Sequence, residues 1–274
     1  MPQKIIFDCD NTLGLPLKEV DDGLTLLYLL GVPEIELCGI TTTFGNGSID
    51  QVFSQTQKLV KSLNIEIPVF KGEGHPDGEP NTPAAQFLVE MVNRSPREIT
   101  LLATGPLGNL HAASLLDPDF FIKVKKIVCM GGYLKPMKLG YRNLHELNFS
   151  ADPSAALAVL NTPCPVTVFP GSACLDAPYR LKDIWSSDFW SLRMKLILTQ
   201  WLLAFGMYCG VSVFYLWDLL PAVFLTKPGF FEITDFPLHS TLTDMKEGML
   251  ISGGPSDLPV ITIGRGITDR DGFI

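Results

Sequence analysis

The sequence predicts an α/β fold: a mainly parallel central sheet flanked by helices. Three observations predict it. From residue 4 to residue 169, short apolar runs alternate with segments of helical period, which is the rhythm of βαβ units. Polar clusters follow several of these runs, at Asp8 and Asp10, residues 41–46, Thr104 and residues 130–132. Ligands of parallel sheets bind at those strand ends. Finally, 274 residues at 46% hydrophobic and 18% charged can bury roughly 75% of the unfolded surface without disulfides or a structural metal.

The elements follow in order. Residues 4–7 (KIIF) read as a strand, and residues 21–31 (DDGLTLLYLLG) as a helix closed by glycine. Residues 35–43 are strand-like and 49–63 helical. A short strand at 67–70 precedes a helix at 83–93. A strand at 99–103 precedes a helix at 108–116, and a strand at 126–130 ends in Gly131-Gly132. Residues 153–160 read as a helix and 166–169 as a strand. Past Trp185 the rhythm fades into helices, and 247–263 reads as two strands around Gly253-Gly254-Pro255. No repeat and no linker divides the chain, so one domain over 1–274 is expected.

Composition narrows the function. A net charge of −8 argues against a nucleic-acid partner and favours a small molecule or a protein. The six cysteines (Cys9, Cys38, Cys129, Cys164, Cys174, Cys209) form no CxxC and read as buried free thiols in a reducing, cytoplasmic setting. The opening MPQKIIFDCD has no long apolar run, so no secretory leader is expected. Residues 196–217 carry no formal charge, but Thr199, Gln200, Gly206, Gly210 and Ser212 dilute them and Asp218 ends them. A buried or interface helix broken near the glycines is expected there, with no membrane partner.

Chemistry concentrates first in residues 5–13 (IIFDCDNTL). Asp8 and Asp10 leave a strand, and Asp21 and Asp22 open the next helix. Four carboxylates around one strand end repel one another unless a cation lies between them. Alternatively they are solvated loop acids, with Asp21 capping the helix. The stretch Asp-x-Asp-x-Thr-Leu resembles the opening motif of haloacid-dehalogenase-type phosphatases. That likeness implies Asp8 as nucleophile, Asp10 as acid/base and Mg²⁺ as cofactor. It also requires a later Lys and a later acidic pair on a strand end. Asp21 and Asp22 come too early, and Asp269 and Asp271 lack a matching strand.

A second likeness covers far more of the chain. Asp8-Cys9-Asp10 and Asp21-Asp22 resemble the Asp-x-Asp-Pro-Gly-x-Asp-Asp motif of the inosine-uridine preferring nucleoside hydrolase family. Residues 11–20 (NTLGLPLKEV) stand here where that family has three. TTTFGN (41–46), ATGPLGNL (103–110), VCMGG (128–132), ELNFSADPSAA (146–156) and WDLLPAVFL (217–225) resemble further family motifs, in family order. On these six the chain is identified as a divergent member.

The resemblance implies a Rossmann-like nucleoside hydrolase fold and Ca²⁺-dependent hydrolysis of the N-glycosidic bond of ribonucleosides, giving free base and ribose. It implies Asp10, Asp22, Asp218 and the Thr104 carbonyl as calcium ligands, with Asp10 also the general base. Asp21, Asn46, Met130, Glu146 and Asn148 would hold the ribose. Each also has a plain reading: Asn46 as a turn residue beside Gly45, Asn148 as a loop-backbone partner, Glu146 as a surface acid. Many members carry a His, the acid for the leaving base, where Trp217 stands here. A purine-specific branch also has Trp at that position and stacks it on the base, which implies purine preference and a role in purine salvage; alternatively Trp217 is a core aromatic. His75 or His145 could supply a loop-borne acid. The segment 71–83 is shorter than the usual active-site loop. A weakly active or non-catalytic nucleoside- or ribosyl-binding homologue therefore stands as the alternative. A homodimer or homotetramer is also implied.

Overall fold

A computed structural model describes residues 2–254 and 259–268. Its first half follows the expected rhythm. β1 (Gln3–Cys9) leads to α1 (Asp21–Gly31), β2 (Ile35–Thr42) to α2 (Ile49–Ser62), and β3 (Val69–Lys71) to α3 (Pro83–Arg94). β4 (Thr100–Ala103) leads to α4 (Gly108–Leu116) and the short α5 (Phe120–Lys123). β5 (Lys126–Met130) passes through a hairpin, β6 (Met137–Leu139) and β7 (Arg142–Leu144), into α6 (Pro153–Leu160). β8 (Val166–Phe169) then enters α7 (Gly171–Cys174). The second half holds β9 (Pro178–Arg180), α8 (Leu181–Ser186), α9 (Leu192–Cys209), β10 (Val213–Tyr215), α10 (Leu219–Thr226), β11 (Phe231–Pro237), α11 (Leu242–Lys246) and β12 (Val260–Ile267).

The main sheet has the order β11-β12-β8-β5-β4-β1-β2-β3. Every pairing is parallel except β11 with β12 at one edge. The chain therefore builds outward from β1 through β2 to β3, then crosses back to place β4 on the other side of β1. That reversal makes the β1/β4 boundary a topological switch point, where a crevice opens at the carboxyl ends. The register puts Asp8 opposite both Thr41 and Ala103 there.

Both faces of the sheet are covered, so its strands are nearly continuous apolar runs. Ile5, Phe7 and Cys9 pack with Leu24, Leu198 and Leu220 from α1, α9 and α10. The alternate residue Ile6 packs with Leu88, Leu110 and Ala155 from α3, α4 and α6. Local signals set the helix ends. Ser48 and Gln51 form a capping box on α2, Thr82 caps α3 ahead of Pro83, and Asp152 caps α6 ahead of Pro153. Gly210, with φ +77°, ends α9 in the left-handed conformation.

The uncharged stretch 196–217 is thus the body of α9, the Gly210 stop and β10. Leu198, Leu202, Phe205 and Cys209 are buried, while Leu192, Leu196, Leu203 and Met207 are exposed. Among the described residues no helix is long and apolar enough to cross a membrane. All six cysteines are free, with Cys38 half-buried and the rest buried.

The expected strand pair at 247–263 is corrected in part. Residues 255–258 of its turn lie outside the described residues. Its second half is β12, but the antiparallel partner of β12 is β11, not residues 247–252. Those residues instead pin the loop after β5, with Leu250 N donating to Tyr133 O at 2.8 Å. The register shifts at Glu232/Ile233, where β12 carries the extra residue Arg265; β11 buries only Phe231 and Phe236, five residues apart, which hides that strand from a reading of alternation.

Candidate active site

The site is built from the β1 end outward. Asp8 is 1% exposed. Its Oδ1 accepts from the Thr41 hydroxyl at 2.6 Å and the Asn109 amide at 2.7 Å. Burial pushes its carboxyl up to about 7. Held this way it is a support for the strand ends. It does not line the cavity described below. Asp269 and Asp271, weighed for the same phosphatase chemistry, lie outside the described residues.

Asp10 follows where the strand has ended. Its Oδ2 accepts from Asn46 N at 2.5 Å. That approach depends on Gly45, at φ +148°: a Cβ there would stand 1.9 Å from Asp10 Oδ2, closer than any side chain allows. The Asn46 amide bridges Asp10 Oδ1 at 3.4 Å and Glu19 Oε2 at 2.9 Å. Asn46 is therefore a turn residue beside Gly45 and also a site residue.

Two helix N-termini bring further acids to the same place. Asp21 and Asp22 open α1, and Asp218 is the N-cap residue of α10; the positive ends of both helices favour negative charge there. Asp22 Oδ1 accepts from the Thr104 hydroxyl at 2.6 Å, and Asp21 Oδ2 accepts from Asp218 N at 3.2 Å. Burial pushes Asp10 up to about 6, against the hydrogen bond from Asn46. Burial, reinforced by the neighbouring carboxylates, drives Asp22, Asp218 and Glu19 well above the ordinary carboxylate range. Among the described residues no ion pair reaches any of them.

The donor set fits a hard divalent cation. Carboxylate oxygens of Glu19, Asp21 and Asp218 lie within 4.8 Å of one another. Asp22 Oδ2 and Glu19 Oε1 are buried with no hydrogen-bond partner, and Asp10 meets Asp22 side chain to side chain. Oxygen-only ligands at this density suit a hard cation of the Ca²⁺ or Mg²⁺ class better than softer metals. Of the expected ligands, Asp218 belongs to this close group with Glu19 and Asp21, Asp22 meets Asp10 and the Thr104 hydroxyl, and the Thr104 carbonyl accepts from Asn148.

Above this floor lies a cavity of about 280 Å³, at the small end for small-molecule sites. Asn46, Thr104, Met130, Glu146, Asn148, Trp217 and Asp218 of the expected site line it. Asp10, Asp21 and Asp22 lie beneath, each at most 2% exposed. One amide group, Asn148 Nδ2, donates to Thr104 O at 2.9 Å, Met130 O at 3.1 Å and Met130 Sδ at 3.3 Å. Glu146 is no surface acid. Its Oε1 accepts from Gly132 N, Asn148 N and Phe149 N, all at 3.0 Å, and its Oε2 from Ser150 N at 2.6 Å. Four amides fill the main acceptor positions of a carboxylate, so Glu146 organises the loop that presents Asn148.

Trp217 lines the cavity and also packs against the core. Its ring lies 5.3 Å from that of Tyr215, tilted 55°. Trp201, Phe205 and Tyr208 of α9 extend this aromatic wall. They recur at helical spacing, a signal present in the sequence but absorbed there into the uncharged stretch. Glu19, also on the lining, was hidden inside the inserted segment 11–20. Of the two histidines, His145 lines the cavity, whereas His75 is exposed and its Nδ1 pairs with Pro76 O at 3.0 Å.

Comparison with known proteins places this geometry. Uridine nucleosidase 1 of Arabidopsis thaliana is 32% identical over 195 residues, covering 61% of this chain and 55% of that protein. The inosine-uridine preferring nucleoside hydrolase of Crithidia fasciculata is 31% identical over 202 residues, covering 61% and 60%. The matched stretch thus spans less than two thirds of these curated relatives. Among solved structures, a plant nucleoside hydrolase superposes with a TM-score of 0.85 at 21% identity, covering 99% of this chain and 96% of its own. A purine-preferring ribonucleoside hydrolase from Gardnerella vaginalis does so with 0.83 at 22%, covering 97% and 94%; both likenesses show the fold. The family model for inosine-uridine preferring nucleoside hydrolases matches residues 5–272, and on that match the chain belongs to this family.

Proposed function

We propose that this chain hydrolyses the N-glycosidic bond of ribonucleosides in a Ca²⁺-dependent reaction, prefers purines, and releases free base and ribose. The observation that carries this reading is the buried carboxylate cage directly beneath a small cavity with an aromatic wall. Asp10, Asp22, Asp218 and the Thr104 carbonyl would hold the cation. When bound, it supplies the positive charge that acidifies and orients a water.

The remaining work falls to the chain's own groups. Asp10, held by the Asn46 N–H at 2.5 Å, serves as the base that takes the water's proton. Asn46 and Asn148 line the space proposed for the ribose, with Asp21 beneath it, Met130 beside Asn148 and Glu146 shaping the loop. Polar groups placed for hydroxyls are left unpaired by a 2′-deoxy sugar, so ribosides are favoured. Surplus carboxylate charge favours the cationic, oxocarbenium-like transition state. The Trp217 face supports stacking on the base and favours its protonated form. Unpaired cysteines support a reducing compartment such as the cytoplasm. The exposed Leu192, Leu196, Leu203 and Met207 on α9 support association into a homodimer or homotetramer.

A second reading, a weakly active or non-catalytic nucleoside- or ribosyl-binding homologue, rests on three departures from the family pattern: the inserted segment 11–20, Trp217 in place of the expected His, and the short segment 71–83. Incubation of the purified chain with inosine, adenosine, guanosine and uridine, with Ca²⁺, and assay of free ribose separates the two. Release from the purine nucleosides ahead of uridine, stopped by a chelator and restored by Ca²⁺, is expected. Saturable inosine binding without ribose release would establish the second reading instead.

A further inference from the structure

We propose that Glu19 is an additional ligand of the cation, contributed by the inserted segment 11–20. This inference rests on the calcium reading above and deepens it. The segment is a built element that delivers Glu19 to a defined place. Asn11 Oδ1 accepts from Leu13 N at 3.0 Å, and Gln55 of α2 donates from Nε2 to Leu13 O at 2.6 Å. The Thr12 hydroxyl donates to Glu19 O at 3.0 Å, closing the segment on itself just ahead of α1.

Three features of the Glu19 carboxyl point to a cation. Its Oε2 accepts from the Asn46 amide at 2.9 Å, and its carboxyl meets that of Asp21 side chain to side chain. Its Oε1 is buried and unpartnered. The third is its grouping with Asp21 and Asp218, whose oxygens lie within 4.8 Å of its own. Two oxygens on one Ca²⁺ at about 2.3–2.6 Å each stand at most about 5 Å apart, so the group can share an ion. Independent of Glu19, Asp22 is 1% exposed and keeps its Oδ2 without a partner in the same cage. The one cation in the segment does not neutralise Glu19: Lys18 Nζ donates to Asn46 O at 2.7 Å. A role confined to orienting Asn46 would use Oε2 alone and leave Oε1 idle.

The test is calorimetric titration of CaCl₂ into the full chain, wild type, Glu19→Gln and Asp218→Asn, with the thermal midpoint of each metal-free protein. Glu19→Gln keeps the shape and an acceptor for Asn46. It is expected to weaken Ca²⁺ binding about tenfold or more while raising the metal-free midpoint, because one repelling carboxyl is gone. Wild-type affinity in Glu19→Gln, with Asp218→Asn impaired, overturns the role of Glu19 and leaves the cation site standing. No saturable Ca²⁺ binding by the wild type overturns the calcium reading itself and this inference with it. Should Glu19→Gln fail to fold, Glu19→Asp, one methylene shorter, is titrated in its place. Undiminished affinity there is equally fatal to the proposal.

Discussion

Asp10, Asp21, Asp22, Thr104 and Asp218, in or beneath the floor of the cavity, are each at most 3% exposed. On the facing side Tyr208 is 50% exposed, and Leu147, beside His145, is 63% exposed. The floor sits on the ends of β1 and β4 and on the first turns of α1 and α10, where sheet register and helix termini dictate position. The wall sits on α9 and on the loop after the β6–β7 hairpin, outside the main sheet. Under the proposed function, the groups that would act on the reacting atom lie in the most protected part of the fold, and those that would select a base are carried by elements that can open at lower cost. Chemistry and specificity should therefore respond differently to substitution.

The largest effect is expected in the floor. Asp10→Asn retains a carbonyl to accept from Asn46 N but cannot take a proton. Ribose release should fall by about 10²–10⁴-fold in kcat, with the fold intact by circular dichroism. Tyr208→Phe on the wall should change kcat by only a few-fold, since the ring is kept. Comparable losses in the two variants would break the division between floor and wall.

A smaller and more selective effect is expected at Trp217, where floor and wall meet. Base–aromatic stacking contributes about 1–3 kcal/mol. Trp217→Ala should lower kcat/KM for inosine by about 10–100-fold, within that range, and for uridine by less. Trp217→Phe should recover part of the loss. The inosine-to-uridine ratio of kcat/KM is the measurement, and a ratio unmoved by Trp217→Ala would return this residue to a packing role.

Much of the floor was legible because it follows from strand ends. The helices at 21–31, 108–116 and 153–160 and the strands at 126–130 and 166–169 have the bounds that periodicity assigns, and the acids lie where a parallel sheet presents its ligands. The wall was not legible for physical reasons. β6, β7, β9 and β10 are three residues each, too short to show a period. Trp201, Phe205 and Tyr208 share α9 with leucines that face elsewhere, so their common face emerges only once the helix is docked. Glu19 lies in a segment whose fold depends on Gln55, far along the chain. Glu146 illustrates the same limit from the other side. Its place in the site could be inferred, but its engagement with four backbone amides could not.

The smallest expected effect tests whether burial, with two neighbouring carboxylates as lesser causes, governs an acid outside the cage. Glu73 lies on the loop after β3, 6% exposed, with its backbone N donating to Asn109 Oδ1 at 3.0 Å. Burial, followed by the charges of Asp152 and Asp8 and opposed by His75, pushes its carboxyl up to about 7. A carboxyl raised on folding is destabilising once ionised. Its contribution is intact below the unfolded value near 4.5 and is lost as pH rises through about 7. Glu73→Gln should therefore match the wild type near pH 5 and exceed it near pH 8 by on the order of 1–2 kcal/mol. Denaturant unfolding at the two pH values, with Ca²⁺ present to hold the cage constant, measures the difference. A gain of the same size at both values would trace it to packing rather than charge. The raised carboxyls of the floor would then need an explanation other than burial.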